Sequence, residues 1–91
     1  MLKPSYTNQF AKDLKRMLKR GKDEQKIKEV MERLIEEKQL EPRHRDHKLI
    51  GNYAGARDCH VEPDWVLIYT LFPNKAAVRF ERTGSHADLF R

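Results

Sequence analysis

The spacing of apolar residues changes once along this chain, near Pro42, and that change restricts the class of fold it can adopt. Before Pro42 the period is helical. Phe10, Leu14, Met17 and Leu18 stand at offsets 0, 4, 7 and 8, which is one helical face. Asn8 is the expected N-cap, and Gly21 has the C′ position that ends such a helix. Asp23 caps a second helix, in which Ile27, Val30, Met31, Leu34 and Ile35 repeat the face, and Pro42 marks its exit. The short link around Gly21 predicts an antiparallel helical hairpin.

Beyond Pro42 the pattern belongs to strands. Leu49–Val61, with Gly51 and Gly55, reads as a strand interrupted by a turn. Val66–Leu71 is dense enough in β-branched and aromatic residues to be a central strand. Pro73-Asn74 predicts a turn, and Ala76–Thr83 a strand that returns as a hairpin. Gly84 breaks that strand, and Ser85 caps a last helical turn over His86–Phe90. At the other end, Leu2–Tyr6 reads as an edge strand, because Pro4 confines it there. The order β-α-α-β-β-β predicts a single α+β domain over residues 1–91. A helical hairpin covers one face of a mainly antiparallel sheet and leaves the other open.

The balance of charge narrows the partners. A net charge of +5 and a sequence pI of about 9.5 favour a polyanion, most often nucleic acid. The basic residues crowd Lys12–Lys28 and Arg43–Lys48, and a solvated helix face accounts for them equally well. Cys59 is the one cysteine, so no intrachain disulfide forms. With no apolar h-region in the first ten residues, the expected compartment is the reducing cytoplasm. No apolar run approaches the roughly 20 residues that span a membrane.

Strand parity sorts the candidate chemistry. In Arg57-Asp58-Cys59-His60-Val61 the side chains alternate, so Cys59 and Val61 suit the core while Asp58 and His60 share the open face. His86 follows a glycine at the end of the last strand, four residues after Arg82. Such a pair can hold a phosphate and pass it a proton. Arg82 shares parity with the core positions Val78 and Phe80, so it reaches the open face only through a bulge. His47 lies in the basic stretch Arg43–Lys48, where a solvated loop is the plain reading. Each of these polar residues also has an ordinary explanation as solvated surface.

Zinc is not expected. Its ligands pair at tight spacings, and parity puts Cys59 and His60 on opposite faces. No phosphate-cradling glycine loop and no H-E-x-x-H is present, and no cofactor is called for. The inventory instead suits cleavage of RNA without a metal. A 2′-hydroxyl must lose a proton as it attacks phosphorus, and the leaving 5′-oxygen must gain one. Histidine, with a pKa of about 6.5, can do both near neutrality.

Three segments carry a family resemblance. His47–Tyr53 (His-x-L-x-G-x-Tyr), Arg57–Tyr69 and Arg82–Phe90 together resemble the YafQ branch of the RelE/ParE toxin superfamily. The helices resemble it in pattern and length only. The resemblance implies a RelE-like fold and a ribosome-dependent endoribonuclease that cuts mRNA in the ribosomal A site. It also implies inhibition by a cognate antitoxin of the DinJ type. By the same resemblance the catalytic set is His47, His60, Asp64 and His86. His86 is the general acid, Asp64 its partner in proton transfer, and His47 and His60 stabilise the phosphate. Asp58 supports His60, and Trp65, Arg82 and Phe90 contact the mRNA. A ParE-like inhibitor of DNA gyrase on the same fold is the alternative, but it has no use for the acid–base set. A non-catalytic RNA-binding module would need stacking aromatics on the sheet face, and Tyr69 and Phe80 have core parity.

Overall fold

In the computed structural model, which describes residues 1–90, the period change is realised as two helices followed by an antiparallel meander. Strand β1 (Lys3–Tyr6) leads into helices α1 (Asn8–Lys19) and α2 (Glu24–Ile35). Strands β2 (His47–Lys48), β3 (Arg57–Glu62), β4 (Trp65–Phe72) and β5 (Ala77–Gly84) follow, and α3 (His86–Leu89) closes the chain. The sheet order is β1-β5-β4-β3-β2. β1 runs parallel to β5 at one edge, and every other pairing is antiparallel. β4 is the central strand, as its composition requires, and Trp65–Tyr69 are all buried.

The main core lies between the helices and one sheet face. Phe10, Met17, Ile27, Val30 and Leu34 meet Cys59, Leu67, Tyr69, Val78 and Phe80 there. Burying each large apolar side chain stabilises the fold by about 1.5–3 kcal/mol. The opposite face is not fully open. Ala56, Val66 and Ile68 pack under Leu89, with Leu49 and Tyr53 at the margin, so α3 and the Gly51–Tyr53 turn roof part of the sheet.

Three local expectations need correction. Thr7, not Asn8, caps α1. Its hydroxyl accepts from the Phe10 N–H at 2.9 Å and donates to the Glu81 carbonyl at 2.7 Å. An extended residue at the end of β1 can make both bonds, whereas Asn8 is already helical. α2 ends at Ile35, well before Pro42. Glu37 takes a φ of 60° and the Lys38 N–H closes onto the Arg33 carbonyl at 2.8 Å. Pro42 instead opens a short 3-10 turn through His44. The segment Leu49–Val61 is not one interrupted strand: its first arm is His47–Lys48, so the sheet has five strands.

Two bulges matter for the site. One interrupts the β3–β4 ladder between His60 and Glu62. In the β4–β5 ladder Tyr69 pairs with Phe80 but Ile68 pairs with Arg82, leaving Glu81 as the extra residue. The slip transfers Arg82 from the core parity of Phe80 to the face of Ile68.

Candidate active site

The antiparallel register of β2 and β3 sets His47 directly across from Asp58. The His47 Nδ1 lies 2.6 Å from the Arg45 carbonyl, and Nε2 lies 3.0 Å from Asp58 Oδ1. A carbonyl only accepts, so Nδ1 carries a hydrogen and Nε2 faces the carboxylate. That approach is favourable only when a proton sits between them, on the imidazole or on the acid. Asp58 is 3% exposed, and its Oδ1 makes no aligned hydrogen bond. Burial pushes its carboxyl above the usual range, against the pull of His47, His60 and His86. The close partner of Asp58 is therefore His47 and not His60, because cross-strand register outranks neighbourhood along one strand.

His60 is partly buried beside them. Its carbonyl accepts from Nδ1 of the buried His44 at 2.6 Å. Its ring meets the His86 ring edge to face, with centroids 5.1 Å apart and planes at 77°. Burial holds its imidazole below the ordinary value, Asp58 opposes this, and His86, Arg45 and His47 add to the lowering. Its proton is therefore held less tightly than that of a free imidazole.

His86 is the first residue of α3, a position secured by a capping box. Ser85 Oγ accepts from the Asp88 N–H at 3.1 Å, and Asp88 Oδ2 accepts from the Ser85 N–H at 2.9 Å. From the β3–β4 turn, Asp64 Oδ1 accepts the His86 N–H at 2.9 Å and lies 2.6 Å from its Nδ1. These bonds hold the Asp64 carboxyl below its usual range. They also commit Nδ1–H of His86 inward and leave Nε2 for a reactant. Phe90, 41% exposed, flanks His86 at a centroid distance of 6.0 Å and touches Tyr53 edge-on at 5.8 Å.

Two expected RNA contacts lie elsewhere. Trp65 is fully buried, and its Nε1 donates to Thr83 Oγ1 at 2.9 Å. It shares the core face with Leu67 and Tyr69 and offers no surface to an RNA. Arg82 reaches the second face through the bulge, but its guanidinium grips the buried Asp13 (Nε–Oδ2 2.9 Å, Nη2–Oδ1 3.1 Å). Across the sheet, Ile68 stands between Arg82 and Asp58. The structure therefore gathers His47, Asp58, His60, Asp64, His86 and Phe90, and leaves Arg82 at one side.

Sequence reasoning gave Arg45 and His44 no role in the site. Arg45 adopts a φ of 46° after the 3-10 turn; it is exposed, and its charge acts on His60. Asp46 anchors this loop by accepting from the Tyr69 hydroxyl and from Arg57 Nε at 3.3 Å. The signal available was Pro42 opening a turn directly before three basic residues.

Fold and site together define a class: a small basic protein of the RelE-like toxin fold, with imidazoles and carboxylates placed to move protons. The family model for the bacterial toxin of type II toxin–antitoxin system, YafQ, matches residues 2–91, and the chain belongs to that family. It is 49% identical over 86 residues to the mRNA interferase toxin YafQ of Escherichia coli strain K12, covering 93% of this chain and 91% of that protein. Its fold is similar to a chain of the E. coli DinJ–YafQ toxin–antitoxin complex, with a TM-score of 0.89 and 47% identity over 99% of this chain and 98% of that one. A metal-bound toxin from Helicobacter pylori is similar as well, with a TM-score of 0.92 and 36% identity over 99% and 100% of the two chains. The metal belongs to that protein. In the present chain no group of three His, Cys, Asp or Glu side chains among the described residues is arranged to hold one.

Proposed function

We propose that this chain is the toxin of a type II toxin–antitoxin pair, an endoribonuclease that cuts mRNA in the ribosomal A site and is silenced by a DinJ-like antitoxin. The observation that carries the reading is the Asp64–His86 pair set against His60. His86 Nε2 donates its proton to the leaving 5′-oxygen as the P–O5′ bond breaks. His60, whose imidazole is held below its ordinary value by burial, takes the proton of the attacking 2′-hydroxyl as the new O2′–P bond forms. The first products are a 2′,3′-cyclic phosphate and a 5′-hydroxyl. His47, paired with Asp58, helps to hold the phosphate, and Asp64 orients His86. Phe90 offers a stacking face beside the scissile site. The exposed Lys12, Lys15 and Lys19 of α1 add salt-sensitive affinity for ribosomal RNA.

The test is cleavage of a defined mRNA with and without ribosomes, with product ends mapped. Cleavage only with ribosomes, and a fall of about 100- to 10,000-fold in His86→Ala, is the expected result. Parent-rate cleavage by His86→Ala would overturn the general-acid role. The gyrase reading predicts inhibition of supercoiling that His86→Ala leaves intact.

A further inference from the structure

The basic stretch Lys12–Lys28 does not act as one surface. Lys12, Lys15 and Lys19 project outward from α1, whereas Arg20, Lys22 and Lys26 are engaged by carboxylates. Arg20 forms a two-pronged bond with Asp88, Nη1–Oδ2 at 2.7 Å and Nη2–Oδ1 at 3.2 Å. Lys22 and Lys26 close on the two oxygens of Glu62 at 2.9 and 3.0 Å. Asp88 lies two residues after His86, and Glu62 two residues before Asp64. The corner joining α1 to α2 thus grips both halves of the Asp64–His86 pair, each from the same offset along the chain.

We infer that Arg20, Lys22 and Lys26 are positioning residues that set the geometry of the Asp64–His86 pair. The inference rests on the proposed acid–base role of that pair. The corner is itself rigid. Gly21 takes a φ of 90°, the Lys22 N–H bonds the Met17 carbonyl at 3.2 Å, and Met17 and Ile27 are buried in the core on either side. Asp88 is held as well by its capping box with Ser85, and it packs close over Gly84, where a Cβ would come within 3.0 Å of its side chain. Neither held segment has much structure of its own. α3 is a single turn, and Asp64 sits in a two-residue hairpin loop with its side chain 70% exposed. An isolated exposed ion pair stabilises a fold very little. A bidentate arginine and a carboxylate shared by two lysines restrict direction, which is what an acid aligned on a leaving oxygen needs.

The test compares Arg20→Gln/Lys22→Gln/Lys26→Gln with the charge-matched Lys12→Gln/Lys15→Gln/Lys19→Gln. One readout is single-turnover cleavage on ribosomes, split into binding and rate at saturation. The other is the downfield proton resonance of the His86 Nδ1–H bonded to Asp64. The corner variant is expected to lose or broaden that resonance and to lose about 10- to 100-fold in saturating rate. The charge-matched variant keeps the resonance and shows at most weaker binding. Lys22→Arg/Lys26→Arg with Arg20 left in place, which keeps the two-pronged bond and the paired charges on Glu62, keeps the resonance. If the triple variant does not fold, Arg20→Gln and Lys26→Gln alone are read in the same way. A corner variant with the parent's resonance, and the rate of the charge-matched control, overturns the proposal. Should Asp64→Asn and His86→Ala cleave like the parent, the acid–base reading fails, while loss of the resonance in the corner variant still establishes the clamp.

Discussion

One carboxylate oxygen of Asp64 serves both the backbone N–H and the ring Nδ1 of His86, at 2.9 and 2.6 Å. The double contact fixes the ring's rotation and its tautomer at once. Asp64→Asn keeps an acceptor of similar shape but removes the charge that steadies a protonated ring. Cleavage is expected to fall by about 10- to 100-fold at saturating ribosome, with the melting temperature little changed because Asp64 is exposed. The acid side of the stability profile follows from the same bonds. The folded-state pKa of Asp64 is depressed, so its contribution is present above the carboxylate's unfolded value and is lost as pH falls through the folded one. Asp64→Asn should therefore flatten the stability curve only below about pH 4, which acid titration followed by circular dichroism checks.

The buried Asp58 carries the opposite sign. Burial raises its pKa, so the folded chain holds that proton to higher pH than the unfolded chain does, and stability declines as pH rises between the two values. Asp58→Asn removes a buried charge lacking an aligned hydrogen bond. The variant is expected to melt a few degrees higher at neutral pH and to cleave more slowly, since His47 loses the partner with which it shares a proton. A thermal melt beside a cleavage assay reads both; a variant that is less stable and fully active would contradict both halves.

The fold was legible where period alone decides it. Two 3.6-residue faces followed by β-prone runs admit little besides helices on a sheet, and Val66–Leu71 could hardly be an edge. Parity likewise separated Asp58 and His60 from Cys59 and Val61. What stayed hidden depends on register. β2 is two residues long and exists because it pairs with β3, so no propensity announces it, and the His47–Asp58 contact is hidden with it. The Glu81 bulge is equally silent, and without it Arg82 belongs to the core face. Trp65 is different: it shares parity with Leu67 and Tyr69, so the same rule that placed Tyr69 inside places Trp65 there too.

That position yields a prediction opposite to the one an RNA contact would give. Trp65→Phe keeps most of the apolar volume but loses the bond from Nε1 to Thr83, whose hydroxyl still donates to the Val66 carbonyl at 2.7 Å. Stability should fall by about 1–2 kcal/mol, visible as a lower urea midpoint. The folded variant should retain the parent's affinity for ribosome-bound mRNA. Selective loss of affinity at unchanged stability would return Trp65 to the RNA surface.

Asp13 is the fully buried anion through which α1 is fastened to β5. It receives Arg82 through two nitrogens, the Thr83 N–H at 3.3 Å, Gln9 at 3.0 Å and Arg16 at 3.2 Å. Burial alone would raise its pKa, but the bonds from Arg82, Gln9 and Thr83 outweigh that and hold it below the usual range. The stability it supplies is present above the unfolded carboxylate value and disappears as pH falls through the folded one. Removing one partner of a buried pair strands the other, so Asp13→Ala should cost about 3–5 kcal/mol near neutrality. The loss should shrink below about pH 4, where the parent carboxylate is itself being protonated. Urea titrations of parent and variant at pH 7 and pH 3 measure it. Arg82→Ala should show a stability loss in the same direction at pH 7, and in the double variant the two losses should add to less than their sum. Full additivity would mean that Arg82 and Asp13 stabilise the fold independently of each other.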